Sequence, residues 1–74
     1  MSKVFENGES VFIFVQIDGT KNCNLCKGVV CDKWFDDNKI VYVVKTEDGV
    51  THKRWHDVVF ESEKDAIKFK EMFN

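Results

Sequence analysis

Two segments of this chain are apolar on both faces of a strand, and this feature constrains the fold more than any other. In residues 10–17 (SVFIFVQI), alternation places four aliphatic residues on one face and Phe12 and Phe14 on the other. Residues 39–46 (KIVYVVKT) repeat the pattern. β-Branched and aromatic residues predict strands, and a strand that is apolar on both faces needs cover on both. With 74 residues, the chain has room for one core and one domain.

Further strands follow from shorter apolar runs that are bounded by turn residues. The pair at 48–49 (DG) predicts a tight hairpin turn, and residues 19–28 (GTKNCNLCKG) predict a polar loop after the first strand. Because the connections are short, neighbouring strands should be antiparallel. The predicted strands cover residues 10–17, 29–35, 39–46, 50–55 and 58–60.

A C-terminal helix is predicted over residues 63–73. Ser62 and Asp65 have the spacing of a capping box, with Asp in place of the usual Glu or Gln. A helix this short is marginal alone, so it must pack against the sheet; we expect it on the outer face beside Phe12 and Phe14. The order predicts a mainly β fold, a five-stranded antiparallel barrel or curled sheet with one C-terminal α-helix.

The layout also carries a family resemblance. The residues that support it are 8–11 (GESV) before the first strand, 27–30 (KGVV), the hairpin at 48–49 (DG) and the ending at 57–66 (DVVFESEKDA). Over roughly residues 8–70 the chain resembles the SH3-like small barrels, which include KOW and Tudor-type modules and small phage and prophage proteins. The resemblance implies an SH3-like barrel and a binding surface, since such barrels bind many unrelated ligands.

Charge and hydropathy limit the kinds of partner. The chain has 11 Lys and Arg against 13 Asp and Glu, a net charge of −2, whereas a dedicated duplex binder carries a basic excess. The longest wholly apolar run, residues 11–15, is far shorter than the ~20 residues of a membrane span, and the N-terminal segment has no signal-peptide pattern. Three cysteines, an odd number, indicate reduced thiols. We therefore expect a cytoplasmic protein without membrane contact.

The cysteines raise the question of a metal site. Cys23 and Cys26 form a Cys-x-x-Cys pair, which is half of a common zinc site, and Cys31 follows five residues later. His52 or His56 would complete the set only if the fold brings the fourth strand onto the first loop. The alternative that we favour treats Cys31 as a small strand residue and the other two as loop thiols. We predict no metal and no cofactor.

Catalytic motifs are absent from the sequence. It contains no Gly-rich phosphate loop, no GxSxG and no HExxH. The paired carboxylates at 36–37 and 47–48 lie in predicted hairpin tips, where such residues ordinarily form turns. We predict that the protein is not an enzyme.

Aromatic and basic residues gather on the second, third and fourth predicted strands. Trp, Tyr and Arg are the usual anchors of protein interfaces, although aromatic rings with flanking cations also stack on nucleic-acid bases, and the tryptophans could equally be core. We predict a small module that contacts another protein, as a phage-type or mobile-element regulator or inhibitor would. A KOW-like nucleic-acid accessory module and a zinc-stabilised module are the alternatives, and homodimerisation would also cover the second apolar face. The candidate partner-binding residues are Trp34, Tyr42, Lys53, Arg54 and Trp55.

Overall fold

Four antiparallel strands and one C-terminal helix make up the fold. The computed structural model of the chain describes residues 3–16, 19 and 22–72. The strands form one sheet in the order β1-β2-β3-β4, which confirms the mainly β prediction. In the described part of the chain, no helix is long and apolar enough to cross a membrane. The elements are β1 (Ser10–Gln16), β2 (Cys23–Asp36), β3 (Lys39–Thr46), β4 (Thr51–Trp55), a 3₁₀ turn (His56–Val58) and α1 (Glu63–Glu71).

Strand β2 is longer than predicted, and the loop prediction over residues 19–28 is wrong for its second half. Residues 23–28 pair in register with residues 11–16 of β1. Backbone N–H and C=O groups of an apolar strand need partners, and this extension of β2 supplies them. The polar sequence of residues 23–28 is tolerated because much of it remains exposed. Both members of the Cys-x-x-Cys pair therefore lie in a strand and not in a loop.

One face of the sheet, the inner face, encloses the main core. Val11 and Ile13 are fully buried on this face, and Val15 is half-buried. Ile17, the fourth aliphatic residue of the first predicted strand, lies outside the described residues. The inward-facing side chains of β1 therefore form the core together with side chains from the rest of the chain. Its members are Phe5, Val11, Ile13, Val30, Tyr42, Val44 and Val59.

Tyr42 joins the core to the N-terminal arm, residues 3–9, which precedes β1. Its hydroxyl accepts a hydrogen bond from the Phe5 N–H at 3.1 Å and is hydrogen-bonded to His56 Nδ1 at 2.9 Å. On the other side of the arm, Lys33 Nζ donates to the Phe5 carbonyl at 3.2 Å and pairs with Glu6 Oε2 at 2.8 Å. The Phe5 ring also lies 6.2 Å from that of His56, so the arm is fixed by side chains from β2, β3 and the 3₁₀ turn.

A second apolar layer lies on the outer face, over β1. The Phe60 ring packs against Phe14 and Phe69, with centroid distances of 5.9 and 5.1 Å, and Ala66 of α1 is fully buried. Phe14 belongs to the apolar face of β1 that the main core does not use. The helix therefore packs beside the outer side chains of β1, where the sequence predicted it.

The fifth strand predicted over residues 58–60 is not formed. Val58 ends the 3₁₀ turn, and Phe60 makes a single antiparallel bridge to Phe12 with N···O distances of 2.8 and 3.0 Å. Because Val58 belongs to the 3₁₀ turn, the predicted strand loses its first residue, and only the bridge from Phe60 forms. Among the described residues, the four strands form an open sheet with β1 and β4 at its edges.

Ser62 begins the helix as the sequence predicts. Its backbone is extended (φ −140°, ψ 160°), and its hydroxyl accepts a hydrogen bond from the Asp65 N–H at 3.2 Å. The helix ends at Glu71, before the predicted end at Phe73, which lies outside the described residues. The capping spacing in the sequence thus located the helix start correctly.

Ser62→Ala should lower the free energy of unfolding by about 0.5–2 kcal/mol, because the Asp65 N–H then loses its side-chain acceptor. Urea denaturation followed by circular dichroism measures the change. Ser62→Asp, which keeps a capping oxygen, is the matched control and should stay close to the wild-type stability. Equal stabilities for Ser62→Ala and wild type would show that the cap contributes nothing.

Candidate functional site

The outer face of β2, β3 and β4 carries three adjacent side chains, Trp34, Val41 and Trp55, which we name the tryptophan row. Trp34 is in register with Val41, and Val41 with Trp55, and residues in register across antiparallel strands share a face. The two tryptophans are 36% and 44% exposed, whereas Val41 is 6% exposed. The indoles therefore flank the buried valine and remain open to solvent.

Two lysines lie against the indole rings. Lys53 Nζ is 5.9 Å from the Trp34 ring centroid, and Lys39 Nζ is 5.5 Å from that of Trp55. A cation within about 6 Å of a ring centroid is attracted by the ring quadrupole. The tryptophan row is thus an aromatic surface that carries positive charge.

A β-bulge at Cys31 directs Trp34 outward. Val30 and Asp32 are two residues apart, yet they pair with consecutive residues of β3. Strict alternation would put Trp34 on the same face as the buried Val30, and the extra residue reverses that phase. The sequence carries no recognisable signal for the bulge, since neither glycine nor a turn residue marks it. The exposure of Trp34 could not be decided from the pattern alone for this reason.

The structure separates the five residues predicted to bind a partner. Trp34, Lys53 and Trp55 share the outer face. Tyr42 is fully buried in the core and does not reach the surface. Arg54 faces the other way, and its Nη2 donates to the Phe14 carbonyl at 3.2 Å while Nη1 donates to the carbonyl of Lys53 at 2.8 Å. Arg54 therefore connects the two sheet edges, and its guanidinium is engaged within the molecule.

The thiols and His52 do not converge. Cys23 and Cys26 are three residues apart in β2, so strand alternation directs their thiols to opposite faces. Cys26 is in register with Ile13 of β1, whereas Cys31 is the bulge residue beside β3. No group of three or more His, Cys, Asp or Glu side chains able to hold a metal ion is found among residues 3–16, 19 and 22–72.

The perturbed titrations of the described residues lie away from the tryptophan row. The hydrogen bond and ion pair between Lys3 and Glu9, at 2.7 Å, raise the pKa of the lysine and lower the pKa of the carboxyl group. In the hairpin between β3 and β4, the Thr46 hydroxyl and then the Val50 N–H lower the pKa of Asp48. These groups stabilise the N-terminal arm and a turn, and they take no part in the candidate site.

The candidate site is therefore an exposed aromatic and cationic surface on the outer face of the sheet. Its elements are two exposed indoles and two ammonium groups on three hydrogen-bonded strands. Comparison with known proteins finds no matching family model, no matching curated protein and no matching solved structure. The functional conclusion rests on the geometry of the tryptophan row.

Proposed function

We propose that this chain is a non-enzymatic binding module that contacts another protein through the tryptophan row. The observation that carries the proposal is the pair of indoles, 36% and 44% exposed, on either side of a buried valine. Tryptophan is among the residues most enriched at the energetic centres of protein interfaces. Each indole combines a large apolar area with one N–H donor, so a partner can gain both buried area and hydrogen bonds here.

The proposal includes an SH3-like barrel as the finer description of the fold. Two contacts to β1 support closure: the backbone bridge from Phe12 to Phe60, which follows β4 and the 3₁₀ turn, and the hydrogen bond from Arg54 of β4 to the Phe14 carbonyl. A curled sheet of this kind holds β2, β3 and β4 as a firm platform under the tryptophan row. With the resemblance to small phage and prophage proteins, we extend the proposal to a phage-type or mobile-element regulator or inhibitor acting in the cytoplasm.

A KOW-like nucleic-acid accessory module is the second candidate function, and the lysines beside the indoles favour it. Single-strand binding proteins stack bases on aromatic rings and neutralise the backbone with cations. Here Lys53 Nζ and Lys39 Nζ lie 5.9 and 5.5 Å from the two ring centroids, where they would flank a stacked base. However, the net charge of −2 opposes a polynucleotide, which carries a phosphate charge on every nucleotide along its whole length. Contact with a protein is therefore the better supported function.

Capture of a partner from a lysate of the native cells tests the proposal when surface variants are compared. The immobilised wild-type chain should retain a protein that the double variant Trp34→Ala/Trp55→Ala loses. Ile67→Ala is the matched control, because Ile67 is an exposed apolar residue of α1 (47% exposed) away from the tryptophan row. Thermal melts establish that all three proteins are folded. Equal retention by the double variant and wild type, or a loss that Ile67→Ala shares, would contradict the proposal.

A further inference from the structure

The outer face presents charge and aromatic surface in a fixed order along β3 and β4. Lys45 comes first, and Lys53 lies one same-face position further along, in register with Val43. The tryptophan row follows, and Lys39 comes after it. Same-face positions along a strand repeat every two residues, or about 6.8 Å. The order is therefore positive, positive, aromatic, positive, and we name these positions the lysine–tryptophan face.

An extended polypeptide has the same repeat. Its alternate side chains point to one side and are also about 6.8 Å apart. A segment that lies along β3 and β4 can therefore place side chains i, i+2, i+4 and i+6 over the four successive positions. Its direction can follow either strand, because only the spacing has to match.

Within the described residues, the lysines of this face form no ion pair with a carboxylate. The ion pairs there join Lys3 to Glu9 and Lys33 to Glu6, both at the N-terminal arm. Lys45 and Lys53 are diagonal neighbours on this face, and the Lys53 side chain reaches across β3 to the Trp34 ring. A carboxylate placed between the two ammonium groups is attracted by both.

The carboxylates that share the outer face lie to one side. Asp32 and Asp36 both belong to β2; Asp36 is in register with Lys39, and Asp32 accepts a hydrogen bond from the Lys33 backbone N–H at 2.9 Å. Neither carboxylate forms an ion pair with a lysine of this face, so three lysines from β3 and β4 face two carboxylates on the β2 side. Each ammonium group that lies over an indole ring can contact a carboxylate on the side that faces away from the ring, so the ion pair and the cation–π contact can form together. Charge complementarity therefore favours an acidic occupant over these two strands.

We infer that the lysine–tryptophan face binds an extended acidic protein segment whose side chains, counted from the Lys45 end of the face to the Lys39 end, have the order acidic-x-acidic-x-apolar-x-acidic. This inference rests on the proposed function and adds the chemistry of the partner to it. The first two acidic side chains contact Lys45 and Lys53, the apolar side chain packs on the tryptophan row, and the last acidic side chain contacts Lys39.

Synthetic peptides and intrinsic fluorescence test the inference without any label. The chain has two tryptophans, and both lie in the row, so their emission reports on this face directly. The probe is the peptide Glu-Ser-Glu-Ser-Leu-Ser-Glu between neutral ends, and its scrambled form Glu-Glu-Glu-Ser-Ser-Ser-Leu has the same composition. We expect the ordered peptide to change the emission and to bind several-fold more tightly than the scrambled one, with affinity that falls as salt rises.

Charge-reversal variants show which lysines act. Lys45→Glu and Lys53→Glu should each weaken binding of the ordered peptide on the order of fivefold. Lys68→Glu, on the exposed surface of α1, makes the same charge change elsewhere and should have no effect. Circular dichroism checks folding, and Lys53→Gln serves as the milder variant if charge reversal disturbs the sheet.

Several results would overturn the inference. Equal binding of both peptides would show that the order of side chains does not matter. Equal weakening by all three charge reversals would show that binding is not located on the lysine–tryptophan face. Tighter binding of a single-stranded oligothymidylate that competes for the same emission change would assign the face to nucleic acid. Absence of binding by the ordered peptide would reject the acidic occupant, whereas capture that depends on the tryptophans would still support a protein partner of different chemistry.

Discussion

Tyr42→Ala should lower the free energy of unfolding by about 3–5 kcal/mol, the range for removing a large aromatic side chain from a core. Tyr42 is fully buried, and its ring lies 5.7 Å from that of Phe5 and 5.8 Å from that of His56. Truncation leaves a cavity between β3 and the N-terminal arm. Small domains have a total stability of about 5–15 kcal/mol, so urea denaturation should show a large shift of the midpoint.

The control Tyr42→Phe separates the hydroxyl from the ring. It keeps the packing but leaves the Phe5 N–H and His56 Nδ1 without their shared partner, which should cost about 1–3 kcal/mol. If Tyr42→Ala were no more destabilising than Tyr42→Phe, the ring would not be the centre of the core. A folded Tyr42→Ala variant that keeps its partner would also show that this residue takes no part in the binding surface.

Gly28→Val should destabilise the sheet by about 3 kcal/mol through steric overlap. A Cβ on Gly28 would lie 2.5 Å from Val44 Cγ1 and 2.8 Å from the carbonyl oxygen of Lys45. The Val44 side chain can rotate away, but the Lys45 carbonyl is part of the β3 backbone, so β2 and β3 must separate. Lys27→Val introduces the same side chain one residue earlier, at an exposed position. Thermal melts that show equal stability for the two variants would contradict the close approach of the strands.

Local pattern predicted the elements whose formation depends on nearby residues. The apolar alternation of β1 and β3 and the cap at Ser62 are properties of short stretches, and they gave strands and a helix start close to those observed. The remaining elements depend on pairing between residues that are distant in the sequence. The local pattern of residues 23–28 predicted a loop, but these residues form a strand because they pair with β1. The local pattern of residues 58–60 predicted a strand, but the 3₁₀ turn leaves only the bridge from Phe60.

The candidate site was predictable in composition but not in arrangement. Trp, Lys, Arg and Tyr in neighbouring strands indicated a binding surface, yet the face of each residue depends on its register. The bulge at Cys31 turns Trp34 outward, and nothing in the sequence marks it. Tyr42 follows Val41 in β3, so it points to the opposite face from the tryptophan row and is buried in the core. Arg54 also points away from the row, and its guanidinium contacts the Phe14 carbonyl.

The indole N–H resonances of Trp34 and Trp55 test the central claim most directly. With two tryptophans in the chain, a ¹⁵N–¹H correlation spectrum shows two such signals, and Trp34→Phe assigns them. We predict that adding the purified protein captured by the wild-type chain shifts or broadens both signals, together with the amides of Lys53 and Val41, while the amides of α1 stay in place. A captured protein that perturbs α1 and leaves both indole signals unchanged would contradict the tryptophan row as the binding surface.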